Sequence, residues 1–369
     1  MKNILFITPI IGFGGAEKML SFVANSLQDR DFSVSVVNIN SVDKRYAVAP
    51  NSLLKQEIRY FEIATSGRKG LKRLEQIRQI KKIAKDVKAD IIIGFTFIPN
   101  AIATIVGKSL RVPTIISERG DPSRTIGNGI IDRLLLAMIN RSTGAVFQTN
   151  GAKEFYGKKL QKNGKVIANP IFVKGEIPLV KFHEREKTIV SVGRLDNDQK
   201  RYDIMLKAFQ LFHEKHTDYV LKLYGEGIDK QKIQEWCEDL GLQDCVRFIG
   251  LTRQPMVDIA KDGVFLITSD YEGISNALLE AMATGLPVVS TDSTPGGARM
   301  LIEHRKNGFL VPIGDAMAIA NALCECVENS PLAERCGDNA KQVLQRFAPE
   351  KIIDEWEEYI NRLTIRRVK

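Results

Sequence analysis

Residues 2–38 read KNILFITPIIGFGGAEKMLSFVANSLQDRDFSVSVVN. The opening KNILFIT is a short, mostly apolar run, which is how a buried strand reads. Gly12, Gly14 and Gly15 follow and mark a tight turn. Residues 16 to about 29 then carry a helical pattern, and FSVSVVN alternates before ending in β-branched residues, a second strand. Strand, glycine turn, helix and strand form one βαβ unit, so a parallel sheet is expected.

The unit repeats. Apolar runs recur at 90–95, 114–117, 145–149 and 165–167, with helical patterns between them. Residues 169–187 interrupt the alternation with Pro170, Gly175, Pro178 and mixed charge, and read as a linker. New strands are expected at 188–192, 219–223, 246–249, 264–268, 287–291 and 309–311. The fold class is therefore α/β, with two Rossmann-like, doubly wound domains at 1–169 and 170–348. The tail 349–369 has Ile352, Trp356, Tyr359, Ile360 and Leu363 at helical spacing and is expected to cross back toward the N-terminal domain. Two such sheets facing one another make a central cleft at the carboxyl ends of their strands, where ligands bind.

The length of 369 residues exceeds what one core usually spans, in line with two domains. Hydrophobic residues at 44% and charged residues at 26% belong to a folded, globular chain. The net charge of +9 points to an acidic partner: nucleic acid, an anionic membrane or a phosphorylated ligand. No nucleic-acid motif accompanies it. The five cysteines are odd in number and lack metal-ligand spacing, so reduced structural thiols are expected. The apolar run 4–7 is too short for a signal peptide, and no stretch is long enough to cross a bilayer. A cytoplasmic location follows, with a place at the inner face of a membrane left open.

The most informative motif is EGISNALLE, residues 272–280. It follows the strand expected at 264–268. Gly273 lets backbone approach a ligand, and Ser275 or Asn276 suits the N-cap of a helix whose free N–H groups favour an anion such as a diphosphate. Eight residues of helix rise ~12 Å, so Glu272 and Glu280 can reach opposite ends of a ligand with phosphates between them. An ordinary capped helix with two surface glutamates is the alternative reading of the same residues.

This pair of carboxylates resembles the hallmark of retaining glycosyltransferase family 4, whose two-domain architecture is the GT-B fold. The resemblance covers nearly the whole chain. Gly193-Arg194-Leu195 with Lys200-Arg201 is similar to the family's phosphate-binding segment, and Tyr224-Gly225-Glu226-Gly227 to its Gly-x-Gly turn. Phe248-Ile249-Gly250 is similar to its base-binding strand end, and Gly14-Gly15-Ala16-Glu17 to its N-terminal glycine loop. The resemblance implies a donor site of Gly14, Gly15, Gly193, Gly225, Gly227, Gly250, Gly273, Ile274, Ser275, Asn276 and Glu280, with Arg194, Lys200, Glu272 and Glu118 as catalytic candidates. It implies no cofactor beyond the substrate, a nucleotide-diphosphate sugar such as a UDP-sugar. The acceptor would be a glycan or a polyprenyl-diphosphate-linked glycan.

Arg194 and Lys200 would oppose the charge that grows on a departing diphosphate, although a basic surface loop reads the same way. The glycine cluster at 12–15 lacks the acidic residue that a dinucleotide ribose requires after the second strand; Asn38 and Asn40 stand there. Relatives often carry a histidine near the position of Arg119. None of His183, His213, His216 and His304 matches it. Glu118 and Arg119 are thus open to two readings, acceptor positioning or a polar turn. The loop 294–297 has Met300 near where the family often has a glutamate. No Asp-x-Asp follows a strand with the ligands Mg²⁺ or Mn²⁺ would need, so no metal is expected, and Asp196-Asn197-Asp198 reads as a loop.

Segment 68–88 places Arg68, Lys69, Lys72, Arg73, Arg78, Lys81, Lys82, Lys85 and Lys88 on a helix with an apolar stripe of Leu71, Leu74, Ile77 and Ile80. Either this is a solvated basic face or it meets anionic lipid headgroups or a lipid diphosphate. Two other functions stay open at this stage. One is a nucleotide-sugar epimerase on the same fold, and the other a non-catalytic nucleotide-sugar-binding protein.

Overall fold

The computed structural model describes every residue except 13, 41–51, 65–70, 174 and 366–369. It divides into two compact units, Met1–Asn169 with Glu350–Lys369, and Pro170–Pro349.

The first unit contains β1 (Lys2–Thr8), β2 (Phe32–Asn38), β3 (Arg59–Glu62), β4 (Ile91–Phe95), β5 (Thr114–Glu118), β6 (Gly144–Phe147) and β7 (Lys165–Val166). They form one parallel sheet in the order β3-β2-β1-β4-β5-β6-β7. Chain growth reverses direction between β1 and β4, so their carboxyl ends frame the topological switch point. The strand interiors are apolar throughout, as sheets covered on both faces require; Ile4 to Ile7 and Ile91 to Ile93 are fully buried.

Two elements depart from the sequence reading. β3 was not expected: its four residues, Arg-Tyr-Phe-Glu, have exposed ends and lie at the sheet edge, leaving no apolar run to detect. β5 extends to Glu118, which places that carboxylate inside the sheet rather than in the following turn. The helix Pro349–Ile365 belongs almost wholly to this unit. Its Trp356 stacks on Phe95 at 6.0 Å. Its Tyr359 hydroxyl accepts from the Ala145 N–H and donates to the Asn163 carbonyl, both at 2.8 Å. Arg30 pairs with its Asp354 and Glu357 at 2.7 and 2.6 Å. The helix Phe97–Leu110 packs against both Lys72–Asp86 and Ile130–Ile139, so these three helices share one face of the sheet. Of the basic segment, Arg68 and Lys69 lie outside the described residues.

The second unit contains β8 (Thr188–Val192), β9 (Val220–Tyr224), β10 (Val246–Gly250), β11 (Val264–Ile267), β12 (Val288–Thr291) and β13 (Phe309–Val311). They also form a parallel sheet, in the order β10-β9-β8-β11-β12-β13, with its switch point between β8 and β11. Phe209, Phe212, Leu221, Val264 and Phe309 fill its core. Residues 197–200, read from sequence as part of a loop, form a one-turn helix after Asp196.

Candidate active site

The loop after β8 and the segment after β11 meet at the second switch point. The Lys200 ammonium pairs with Glu272 Oε1, and each side chain is only 14% exposed. Ser269 Oγ donates to the same oxygen at 3.1 Å. The backbone is tied beside them: Asp270 N–H donates to the Gln199 carbonyl at 3.0 Å, and Thr268 Oγ1 to the Lys200 carbonyl at 2.8 Å. Arg201, at φ +54°, clamps Asp203 through two nitrogens at 2.9 and 3.0 Å and Asp270 through a third at 2.8 Å. These hydrogen bonds, Asp203 first, hold its guanidinium above the usual arginine range. Burial, with Glu272 and Asp196 nearby, pushes the Tyr202 phenol up. A lysine and a glutamate 72 residues apart are thus fixed by the ends of two central strands.

The glycines of this unit explain how its loops approach so closely. Gly193 N–H donates to the Tyr224 carbonyl at 2.9 Å, Leu195 N–H to Glu226 at 3.1 Å, and Gly225 N–H to Gly250 at 2.8 Å. A Cβ on Gly225, at φ +146°, would fall on the Gly193 carbonyl oxygen, and one on Gly227 on the Leu195 carbonyl oxygen. Gly193, Gly225, Gly227 and Gly250 therefore brace neighbouring strand ends through backbone contacts.

Glu272 opens the segment that leads to the helix Asn276–Ala283. Its N–H donates to the Thr294 carbonyl at 2.6 Å, and a Cβ on Gly297 would fall on the Gly273 carbonyl oxygen. The 294–297 loop therefore holds the 272–273 turn in place. Ile274 is buried, and Ser275 Oγ caps the helix by accepting from the Leu278 N–H at 3.4 Å. Asn276 and Glu280 are half-buried on the same helix. Arg194 differs from its neighbours: its side chain is 68% exposed and stands 3.9 Å from Asp196.

At the first switch point the chain leaves a cavity of about 470 Å³. Its lining includes Ala16, Arg73, Thr96, Phe97, Glu118 and Arg119. Gly14 caps the helix Gly15–Gln28, so the glycine loop reaches this cavity through Ala16. Glu118 is 5% exposed. Its Oε1 accepts from the Arg119 and Gly120 N–H groups at 3.0 and 3.2 Å, and its Oε2 from the Tyr156 hydroxyl at 2.5 Å. Burial pushes its carboxyl above the usual range against those bonds. Oε1 thus holds the 118–120 turn, and Oε2 ties that turn to Tyr156. Burial lowers Arg119 to about 9 despite the nearby Glu118. One of its nitrogens meets Asn169, while Nε and Nη1 are buried without a partner.

Arg73 and Thr96 were missed as cavity residues. Arg73 belongs to the basic segment, which was read either as a solvated face or as a contact for lipid headgroups or a lipid diphosphate, not as the lining of a cavity. Thr96 adopts φ +72°, ψ 171° directly after β4, a conformation costly for a β-branched residue and one that no sequence pattern signals. Away from the strand ends, His216, Cys324 and Glu328 bring possible ligand atoms within 4.8 Å of one another. Only the fold brings His216 beside the helix that carries the other two.

A model of the glycosyl transferase 4-like family matches residues 15–123, and one of the glycosyl transferases group 1 family matches residues 176–343. The chain is 27% identical to an uncharacterised glycosyltransferase of Haemophilus influenzae, over 96% of this chain and 99% of that protein. It is 26% identical, over 96% of this chain and 97% of the relative, to a Campylobacter jejuni α-1,4-N-acetyl-D-galactosaminyltransferase named for an undecaprenol-diphosphate-linked glycan. The structure of Anabaena HepE in complex with UDP superposes with a TM-score of 0.80, covering 98% of this chain and all of that one at 21% identity. With two parallel-sheet units and both family matches in chain order, the chain belongs to the glycosyltransferases of the GT-B fold.

Proposed function

We propose that this glycosyltransferase moves a hexose or N-acetylhexosamine from a UDP-sugar to a lipid-linked surface-polysaccharide intermediate, with retention of anomeric configuration and without a metal. The observation that carries the proposal is the Lys200–Glu272 pair, fixed at the second switch point beside a helix start capped by Ser275. Such a pair suits a ligand that offers an anion to the ammonium and hydroxyls to the carboxylate. In this reading Arg194, Lys200 and the N–H groups of 273–276 hold the diphosphate. Glu272 holds the donor sugar and Glu280 the ribose.

In this reading, as the family resemblance implies, the acceptor attacks on the face the nucleotide leaves. A donor phosphate oxygen then takes the acceptor proton. The acceptor lies over the first unit, near Gly15, Glu118 and Arg119. The basic helix Lys72–Asp86 meets anionic lipid headgroups at the inner face of the membrane, since Arg78, Lys82 and Lys85 are exposed. The relative named for an undecaprenol-linked substrate supports this acceptor class.

The test is a screen of UDP-sugars with extracts of lipid-linked acceptors, following UDP release and the anomeric configuration of the product by NMR. Release that requires both a UDP-sugar and the lipid fraction supports the reading. Release of an inverted product, turnover that needs added Mg²⁺, or isomerisation of the donor without acceptor contradicts it.

A further inference from the structure

The helix Ile130–Ile139, sequence IIDRLLLAMI, buries only Ile139. Ile130, Ile131 and Leu134 are 78%, 72% and 63% exposed, a concentration of large aliphatic side chains in water that is rare on a folded surface. The inner side of the helix is committed to the core, where Leu135 and Leu136 pack beside Ile126, Ile139 and Phe147. The outer side has no partner element among the described residues. It lies in a basic setting, because Arg133 and Arg141 are exposed on or next to the helix. The single acid of the helix, Asp132, turns back over Gly127 and Gly129.

The basic helix Lys72–Asp86 packs against the opposite flank of the same central helix, Phe97–Leu110. The apolar outer side of Ile130–Ile139 and the exposed Arg78, Lys82 and Lys85 therefore belong to one side of the first unit. An amphipathic helix with exposed aliphatics and flanking arginines matches the boundary between acyl chains and anionic headgroups. Among the described residues no helix is long and apolar enough to cross a membrane, so contact of this kind would be peripheral.

We propose that the helix Ile130–Ile139 is a membrane-insertion element. Ile130, Ile131 and Leu134 enter the acyl boundary of an anionic bilayer, while Arg133 and Arg141 remain among the headgroups. The inference deepens the proposed function, since it rests on the reading that the acceptor is lipid-linked. It adds an apolar anchor to the electrostatic contact of the basic helix, and one weak signal alone gives only marginal, reversible attachment.

The test is flotation of the full chain with vesicles of equal phosphatidylcholine and phosphatidylglycerol, and with phosphatidylcholine alone. The protein is expected to float with the mixed vesicles and to stay partly bound in high salt, because apolar insertion is not screened. The triple variant Ile130→Ser, Ile131→Ser, Leu134→Ser changes only exposed positions and is expected to lower the bound fraction about tenfold or more. The variant Lys82→Glu, Lys85→Glu is expected to bind less than the wild type at low salt and to match it at high salt, whereas the triple variant falls furthest below the wild type at high salt.

A triple variant that floats like the wild type overturns the proposal, as does a wild type that does not float. Light scattering showing a wild-type dimer that the triple variant converts to monomer, with no flotation, overturns it in favour of a second copy on this face. UDP titration of the same samples separates the two readings. Flotation without UDP binding sinks the donor assignment and leaves the insertion element standing. UDP binding without flotation sinks the insertion element alone.

Discussion

The two sheets share one topology, yet their switch points are built differently. In the second unit the ends of β8, β9, β10 and β11 are joined backbone to backbone, and Lys200 pairs with Glu272 and Arg201 with Asp270, whose other carboxylate oxygen is buried without a partner, while Arg194 stays largely exposed. In the first unit the equivalent place is an open cavity of about 470 Å³, bordered by a strained Thr96 and an Arg119 with two buried, unpartnered nitrogens. A rigid, pre-paired site suits a ligand whose shape does not vary, such as a nucleotide diphosphate. A cavity whose polar groups are incompletely satisfied leaves donors for a ligand to meet. Under the proposed function, the second unit holds the donor and the first unit the acceptor.

The sharpest way to break this contrast is Lys200→Ala. It removes the cation and leaves Glu272, 14% exposed, with Ser269 Oγ as its named remaining donor. Turnover measured by UDP release is expected to fall about 100-fold or more. A fall below threefold would separate the pair from the reaction. Gly225→Ala addresses the bracing instead. Its Cβ would collide with the Gly193 carbonyl, so stability should drop by roughly 2 kcal/mol and UDP affinity with it. Thermal denaturation with and without UDP measures both, and an unchanged Tm would show that the loops are looser than described.

A smaller effect concerns pH in the first unit. Glu118 has a raised carboxyl in the folded state, so the native protein holds that proton more tightly than the unfolded chain does. The stability this contributes is present at low pH. It is lost as pH rises from the ordinary carboxylate range through the raised value. A pH series of Tm should show this slope in the wild type and a flatter one in Glu118→Gln. Equal slopes would show that the buried carboxyl is fully compensated. The smallest effects compare two helix caps. Thr149 and Ser275 each accept a backbone N–H, from Ala152 and Leu278, so alanine at either should cost about 1 kcal/mol. Only Ser275→Ala is expected to weaken UDP binding; equal effects on UDP would erase the distinction between the units.

Much of this was legible in the sequence, because buried parallel strands are short apolar runs and glycine turns separate them. The six strands of the second unit fall where the runs predict, while β3 escaped because an edge strand with exposed ends carries no such run. Lys200 and Glu272 could be nominated from their motifs, but their pairing could not, since 72 residues of chain separate them. Glu118 was open to two readings, acceptor positioning or a polar turn; the strand continuing through it accounts for its burial. The unpartnered nitrogens of Arg119 and the inverted φ of Thr96 depend on packing from several elements and leave no local trace.

The account depends most on where the nucleotide sits. Calorimetric titration of UDP into the wild type, the Arg194→Ala, Lys200→Ala double variant and Arg119→Gln tests this directly. Binding should be strong in the wild type, persist in Arg119→Gln and disappear in the double variant. Wild-type affinity in the double variant, or loss of binding only in Arg119→Gln, would place the nucleotide in the first unit and contradict the account.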